Sequence, residues 1–214
     1  MVLGLLRHAV VTVSEMRQMV RRAGNKNVAY LQVLVATVKW LFPVGHVRQR
    51  FLFSLTTLTF HIAIIVVPIF LAGHIALLKS GIGLSWPAIS NGLADVLTVT
   101  AVVTAVLLVL QRATARDSRA LSRFSDYALP VLIAVPFISG FLVMHPTWNP
   151  FSYDAMLFVH VMSANALLVL IPLTKLSHMV LLPATQLVSE LAWHFPPDAG
   201  KKVGVELGKE GQPI

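Results

Sequence analysis

The chain has 214 residues, of which 56% are hydrophobic and only 12% are charged, and its mean hydropathy is +0.76. Soluble domains carry roughly 25% charged residues, so this composition excludes an ordinary soluble domain and predicts a helical membrane protein. The chain has no cysteine. It therefore cannot form disulfides, hold an iron–sulfur cluster through thiolates or attach a c-type haem covalently.

Four apolar segments reach the length of about 20 residues that crosses a bilayer. They cover residues 51–79, 94–111, 127–145 and 155–182. Each must be helical, because lipid offers the backbone no hydrogen bonds. The expected fold is an all-α membrane protein with a four-transmembrane-helix bundle. Three regions follow: a basic, partly amphipathic N-terminal region (1–50), the transmembrane domain (51–183) and a cytoplasmic C-terminal tail (184–214).

The N-terminal region contains an apolar stripe at helical spacing. Its members are Val28, Leu31, Val35, Val38 and Phe42. The pattern predicts an amphipathic helix that lies in the membrane interface. The alternative is a fifth transmembrane helix over residues 28–42, which would place the arginines before it on the outer side.

The basic residues that give the net charge of +8 flank the apolar spans, as membrane topology requires, so the charge does not indicate nucleic-acid binding. Of the 17 basic residues, only Lys79 falls in the first or third loop between the spans. The other 16 lie on one side if both termini are cytoplasmic, as the positive-inside rule requires. The predicted location is the cell (inner) membrane, with both termini in the cytoplasm.

Four histidines lie within the first and last apolar segments. They are His61 and His74 in the first segment, and His160 and His178 in the last. A histidine in hydrocarbon is costly unless something binds it. Because the two segments run antiparallel, His61 matches the level of His178 near the cytoplasm, and His74 matches His160 near the outer face. The pattern predicts two b-type haems, each held by one histidine from each segment.

The spacing of the histidines supports haem ligation by the last segment better than by the first. His178 follows His160 by 18 residues, five full turns of an ideal helix, so the two share a face. His61 and His74 are about 140° out of phase on an ideal helix, but Pro68 lies between them and can kink the helix, which would re-aim one of them. His145, at the end of the third segment, is an alternative outer ligand or a residue of a quinone pocket.

Other readings of these histidines remain open. An intramembrane histidine can bond a backbone carbonyl of a neighbouring helix and have only a structural role. A transporter could use the histidines as a proton relay, although the apolar spans hold no acid besides Asp95 and Asp154, both near the outer ends. A third reading is an anchor subunit that has lost its haem.

Two motifs resemble the gamma (cytochrome b) subunit of respiratory nitrate reductase. Phe60-His61-Ile62 followed by Gly73-His74 looks like its first histidine helix, and the stretch from Pro172 to His178, with Pro183 beyond it, looks like the end of its last helix. The interval from His61 to His74 is longer than in that subunit, and a basic region replaces its N-terminal helix. These departures point to the wider superfamily, which includes cytochrome b subunits of heterodisulfide-reductase-like, sulfite-reduction and hydrogenase complexes.

The resemblance implies a subunit of a hetero-oligomeric respiratory complex with two haems b. Such subunits exchange electrons between a membrane quinol or quinone and a cytoplasmic iron–sulfur subunit, and the chain itself is either non-catalytic or quinol-oxidising. It implies His61, His74, His160 and His178 as axial ligands. Arg50 and Lys175, near the cytoplasmic level, are the best partners for haem propionates. Other residues at the outer rim are candidate quinone neighbours: His145, Trp148, Tyr153 and Asp154. For Trp148 and Tyr153 the commoner role is that of interfacial anchors, and that alternative is favoured.

Overall fold

The computed structural model of the protein describes residues 1–22, 31, 35, 38, 51–178, 181 and 199–210. Within these residues the regular elements are helices, and none is a strand. The helices are α1 (Val2–Arg22), α2 (Phe51–Phe70), α3 (Ala72–Ile82), α4 (Asn91–Thr114), α5 (Arg116–Leu121), α6 (Phe124–Met144), α7 (Tyr153–Leu173) and α8 (Ala199–Glu206), and a 3₁₀ turn (Lys175–Ser177) follows α7.

Four of these helices are long and apolar enough to cross a membrane. They are α2, α4, α6 and α7, and their mean hydropathies lie between 2.1 and 2.4. The prediction of an all-α membrane protein with four transmembrane helices is confirmed. The possible fifth span over residues 28–42 falls mostly outside the described residues, so it stays a prediction; Leu31, Val35 and Val38 are helical.

Helix α4 packs against both α2 and α6 through small side chains. Ala63 of α2 and Ala101 of α4 are almost completely buried, at 0% and 1% exposure. Alanines at such contacts let helix backbones approach closely, which is how helices associate where lipid removes the hydrophobic driving force. Phe137 of α6 and Val67 of α2 pack around them. The amide of Gln111 also donates to the Thr56 hydroxyl at 3.1 Å, which ties α4 to α2.

The first apolar segment is broken at Leu71, so the predicted continuous helix with a kink at Pro68 is wrong. Leu71 has extended backbone angles (φ −69°, ψ 129°) and separates α2 from α3. The last carbonyls of α2 bond to residues further along the chain: Pro68 O accepts from His74 Nδ1 at 3.0 Å, Ile69 O from the Trp86 indole at 2.9 Å, and Phe70 O from Ile89 N at 3.0 Å. Residues 71–90, which include α3, therefore form a connection that begins and ends beside the last turn of α2. We call this connection the 71–90 excursion.

The last apolar segment is also interrupted. Helix α7 ends at Leu173, and Thr174 is extended (φ −129°, ψ −176°) before the 3₁₀ turn. The Thr174 side chain caps this turn by accepting from Leu176 N at 3.3 Å. His160 and His178 are therefore not joined by five turns of one helix, and the prediction that they share a helix face is wrong.

The chain divides into two compact units. One comprises Met1–Val44 and Leu168–Ile214, and the other comprises Gly45–Leu167. The second unit holds His61, His74 and His160, whereas His178 belongs to the first. The three regions proposed from composition remain a prediction.

Candidate functional site

His160 is held against the backbone of α6. Its Nδ1 donates to the carbonyl of Pro136 at 2.8 Å. One turn further along α6, a Cβ atom added to Gly140 would lie only 2.9 Å from His160 Cε1. The imidazole thus rests where α6 has no side chain, and its orientation is fixed by one hydrogen bond and one close backbone approach.

His74 lies in the first turn of α3, and its ring faces that of His160. The two ring centroids are 6.0 Å apart and the ring planes are inclined by 14°. Two histidine nitrogens about 2 Å from a shared metal ion would place their ring centroids roughly 6 Å apart. The break at Leu71, not a kinked helix, accounts for the position of His74. The centroid separation equals that of two imidazoles bound to one metal ion.

All four predicted ligands donate Nδ1–H to a backbone carbonyl. His160 and His74 use Pro136 O and Pro68 O as described, His61 donates to Thr57 O at 2.7 Å, and His178 donates to Lys175 O at 2.6 Å. A carbonyl can only accept, so the proton must be on Nδ1. For His74 and His160, in a neutral imidazole this leaves the Nε2 lone pair for a metal ion, with the ring oriented by its second bond.

His61 is half-buried on α2, beside Phe60. The two rings meet edge to face, with centroids 5.7 Å apart and an interplanar angle of 87°. At this end of α2 and α4, Thr57 Oγ1 and Gln111 Oε1 are buried without a hydrogen-bond partner among the described atoms. Unsatisfied buried polar atoms are uncommon and call for an explanation such as an absent ligand. They fit a polar group of a cofactor bound beside His61.

A second arrangement lies at the other end of the bundle, around His145. Its Nδ1 donates to Phe141 O at 2.9 Å, and its Nε2 lies 3.4 Å from a carboxylate oxygen of Asp95 on α4. Phe141 stacks on the imidazole at a centroid distance of 4.1 Å. These side chains and Trp148 line a cleft of about 380 Å³ that is otherwise largely apolar.

The remaining predicted site residues lie elsewhere. Arg50 falls outside the described residues. Lys175 is exposed in the 3₁₀ turn, where its carbonyl holds His178. Of the predicted rim residues, Trp148 lines the His145 cleft, whereas Tyr153 and Asp154 are exposed at the start of α7 and do not.

Sequence reasoning missed two features of the candidate site. One is Asp95, which was read as a lone acid near the outer end of α4 and is the partner of His145. The other is Gly140, whose missing side chain makes room for His160. The available signals were a histidine and an aspartate at the same predicted membrane level, and a glycine inside an apolar span.

The donor set is consistent with a haem. In the described part of the chain, no three histidine or acidic side chains cluster so as to hold a metal ion. His74 and His160 supply two donors, which is the number that a bis-histidine haem takes from protein because the macrocycle provides the others. Gly73 lies beside His74, and a Cβ added there would meet no described atom within 4 Å.

Comparisons with known proteins give neither a family nor a function for the chain. No family model matches the chain, and no solved structure matches it. A curated protein of Nitratidesulfovibrio vulgaris (strain Hildenborough) is 37% identical over 148 residues, which cover 68% of this chain and 64% of that protein. The chain thus spans less than two thirds of this relative, whose name states no activity. Fold and site define an all-α membrane protein with paired histidines.

Proposed function

We propose that this chain is a membrane cytochrome b subunit of a respiratory complex in the superfamily of the nitrate reductase gamma subunit. It carries two haems b and transfers electrons between a membrane quinol or quinone and a cytoplasmic iron–sulfur subunit. The observation that carries the proposal is the pair formed by His74 and His160, whose parallel rings lie 6.0 Å apart. A purely structural histidine needs only its carbonyl bond, and it gains nothing from a second imidazole at this distance.

In this proposal the outer haem is held by His74 and His160 and the inner haem by His61 and His178. The Nδ1 bonds of His74 and His160 support the outer assignment, because each leaves Nε2 for the iron. The inner pair draws its members from different compact units, so its pairing rests on their predicted membrane levels and not on a described contact. The partner subunit, the cytoplasmic orientation of the termini and the cell membrane are part of the same proposal.

When bound, each haem supplies reversible one-electron chemistry at iron. The contribution of the chain is to fix the ligands and, through the apolar helices around the half-buried His61, His74 and His160, to tune the reduction potentials. His160 is oriented by Pro136 O and Gly140, and His74 by Pro68 O. These contacts hold the rings before any cofactor arrives, which lowers the cost of ordering them on binding.

The cleft around His145 is the proposed quinol site. Gly140 touches His160, and His145 follows it by five residues on the same chain segment, about 8 Å along an ideal helix. The stacked Phe141 and the nearby Trp148 offer flat apolar surfaces to a quinone ring. Because Nδ1 of His145 is bound to a carbonyl, Nε2 is the atom that exchanges a proton.

The pair of His145 and Asp95 then provides a route for protons. Oxidation of one quinol releases two electrons and two protons. His145 Nε2 accepts each proton in turn, Asp95 stabilises the imidazolium, and the half-exposed carboxylate passes the proton to water. Reduction of a quinone would use the same contacts in reverse.

A visible spectrum of the purified chain tests the proposal. We expect Soret and alpha bands that sharpen on addition of dithionite, and two haems per chain by pyridine hemochrome assay. Protein that is folded in detergent, made with ample haem and together with its partner subunits, and yet shows no such bands would contradict the proposal.

A second candidate is a proton-coupled transporter or an anchor subunit with structural histidines. The contact between His145 Nε2 and the Asp95 carboxylate favours it, since acid–histidine pairs also serve in membrane proton relays. The two proposals differ in their readout. A transporter would show no haem bands and would carry protons across vesicles in a manner dependent on His145, whereas an anchor would show neither property.

Substitutions in the cleft test the quinol site. In His145→Ala we expect reduction of the haems by a quinol analogue to slow roughly a hundredfold, because loss of a general base costs about that much. Asp95→Asn should slow it less, since the imidazole remains. Stopped-flow absorbance at the alpha band measures the rate.

Tyr153→Phe is the matched control, because Tyr153 is exposed near the same end of the bundle and does not line the cleft. Dithionite should reduce both haems fully in every variant. Equal quinol rates in His145→Ala and Tyr153→Phe would place the quinol site elsewhere.

A further inference from the structure

Helix α1 is attached to the end of a membrane-spanning helix. A Cβ added to Gly4 would lie 2.6 Å from the Cβ of Pro172, so the α1 backbone directly contacts that ring. The Nε2–H of His8 donates to Pro172 O at 2.7 Å. Pro172 belongs to the last turn of α7, where the apolar span ends. The first turns of α1 therefore lie at the level where hydrocarbon gives way to headgroups.

The face of α1 that turns away from Pro172 carries an apolar stripe. It consists of Leu3, Leu6, Val10 and Val13, which are 82%, 57%, 60% and 45% exposed. Their spacing of three and four residues places them on one side of the helix. We call this set the α1 stripe. A contiguous row of exposed aliphatic side chains marks a surface that binds protein or membrane.

The charge of α1 distinguishes between those two partners. The helix has four arginines and one glutamate. Arg17 and Arg21 continue the line of the stripe into the last turns, and at i,i+4 they are neighbours that can both reach one phosphate. Val10, Val13, Arg17 and Arg21 border a shallow groove of about 540 Å³ along the helix. An apolar stripe that leads into paired arginines matches the acyl chains and phosphate of an anionic lipid.

We propose that α1 lies in the membrane interface and binds anionic phospholipid, with the α1 stripe in the acyl boundary and Arg17 and Arg21 on the phosphate. The sequence-based expectation placed an interfacial helix at residues 28–42, so this assigns a lipid-binding role to a different segment. It depends on the membrane-spanning fold and is independent of haem and quinone.

The lack of cysteine makes the test direct, because single cysteines can be placed in the full chain without background. A nitroxide is attached at Leu6→Cys or Val10→Cys, and at Val11→Cys as the matched control. Val11 is also an exposed aliphatic residue, but it lies about 100° around the helix from Val10. The labelled protein is reconstituted into vesicles of phosphatidylcholine with about a quarter phosphatidylglycerol.

Power-saturation EPR then compares collisions with oxygen and with a water-soluble nickel chelate. We expect the labels at Leu6 and Val10 to meet oxygen preferentially and the label at Val11 to meet the chelate. Labels at the stripe that meet the chelate as often as Val11 does would show that the stripe faces water. Labels shielded from both reagents would show that protein covers it. Either result overturns the proposal.

The arginines are tested in the same assay. The double variant Arg17→Gln/Arg21→Gln should reduce the immersion of the Val10 label in anionic vesicles to the level seen in pure phosphatidylcholine. The control Arg7→Gln/Arg22→Gln removes the same charge elsewhere on α1 and should keep most of the difference. Inorganic phosphate in solution should leave immersion unchanged. Equal loss in both double variants, or competition by free phosphate, would exclude a lipid phosphate site at Arg17 and Arg21.

Discussion

Replacing His160 with alanine is expected to remove one of the two haems and to leave the other in place. The outer iron would lose one axial ligand. The Pro136 carbonyl and the space beside Gly140, which orient the His160 ring, would have no imidazole to hold. The measurement is haem per chain by pyridine hemochrome, with the alpha-band spectrum to identify the haem that remains. His74→Ala should give the same spectrum.

Double variants make this prediction sharper. His74→Ala/His160→Ala should still retain one haem, because both substitutions affect the same pair. His61→Ala/His160→Ala should retain none, because it breaks both pairs. His145→Ala is the control and should keep both haems, since its imidazole is engaged by Asp95. If His145→Ala loses a haem while His74→Ala keeps two, His145 is the outer ligand.

Gly140→Val is expected to expel the outer haem, and Gly140→Ala to shift its reduction potential. Even the alanine Cβ would lie 2.9 Å from Cε1 and 3.0 Å from Nδ1 of His160, too close for the ring to stay in place. The imidazole must tilt, and its bond to Pro136 O must weaken. Alanine is otherwise favoured over glycine inside a helix by about 1 kcal/mol, so helix propensity does not cause the effect.

Potentiometric titration of the alpha band measures the outer haem in the Gly140 variants. Gly92→Ala is the control: Gly92 is a helical glycine of α4 whose added Cβ would meet no described atom within 4 Å, and its titration should match the unaltered protein. Two haems with unchanged potentials in Gly140→Val would show that His160 is not an axial ligand.

The spans were predictable from sequence because their cause is local. Twenty apolar residues in a row have few alternatives to a membrane helix, and the boundaries of α4 and α6 lie within a few residues of the predicted segments. Small residues such as Ala63 and Ala101 are also expected where membrane helices pack closely. Sequence alone, however, does not tell which face of a helix meets a neighbour.

The ends of the helices were not predictable, because distant residues decide them. Pro68 signals a disturbance, but whether α2 bends or ends depends on Trp86 and Ile89, which bond its last carbonyls from the far side of the excursion. Likewise, the pair of Asp95 and His145 depends on how α4 and α6 are rotated about their axes. The outer histidine pair was predicted by membrane level, and the structure brings its rings together.

The break at Leu71 has a consequence for how related chains should be aligned. Because His74 is carried by the 71–90 excursion and not by the span that holds His61, the number of residues between the two histidines is not tied to the pitch of a helix. Insertions or deletions between them can be absorbed at the break without rotating α2. We therefore expect this interval to vary among homologues.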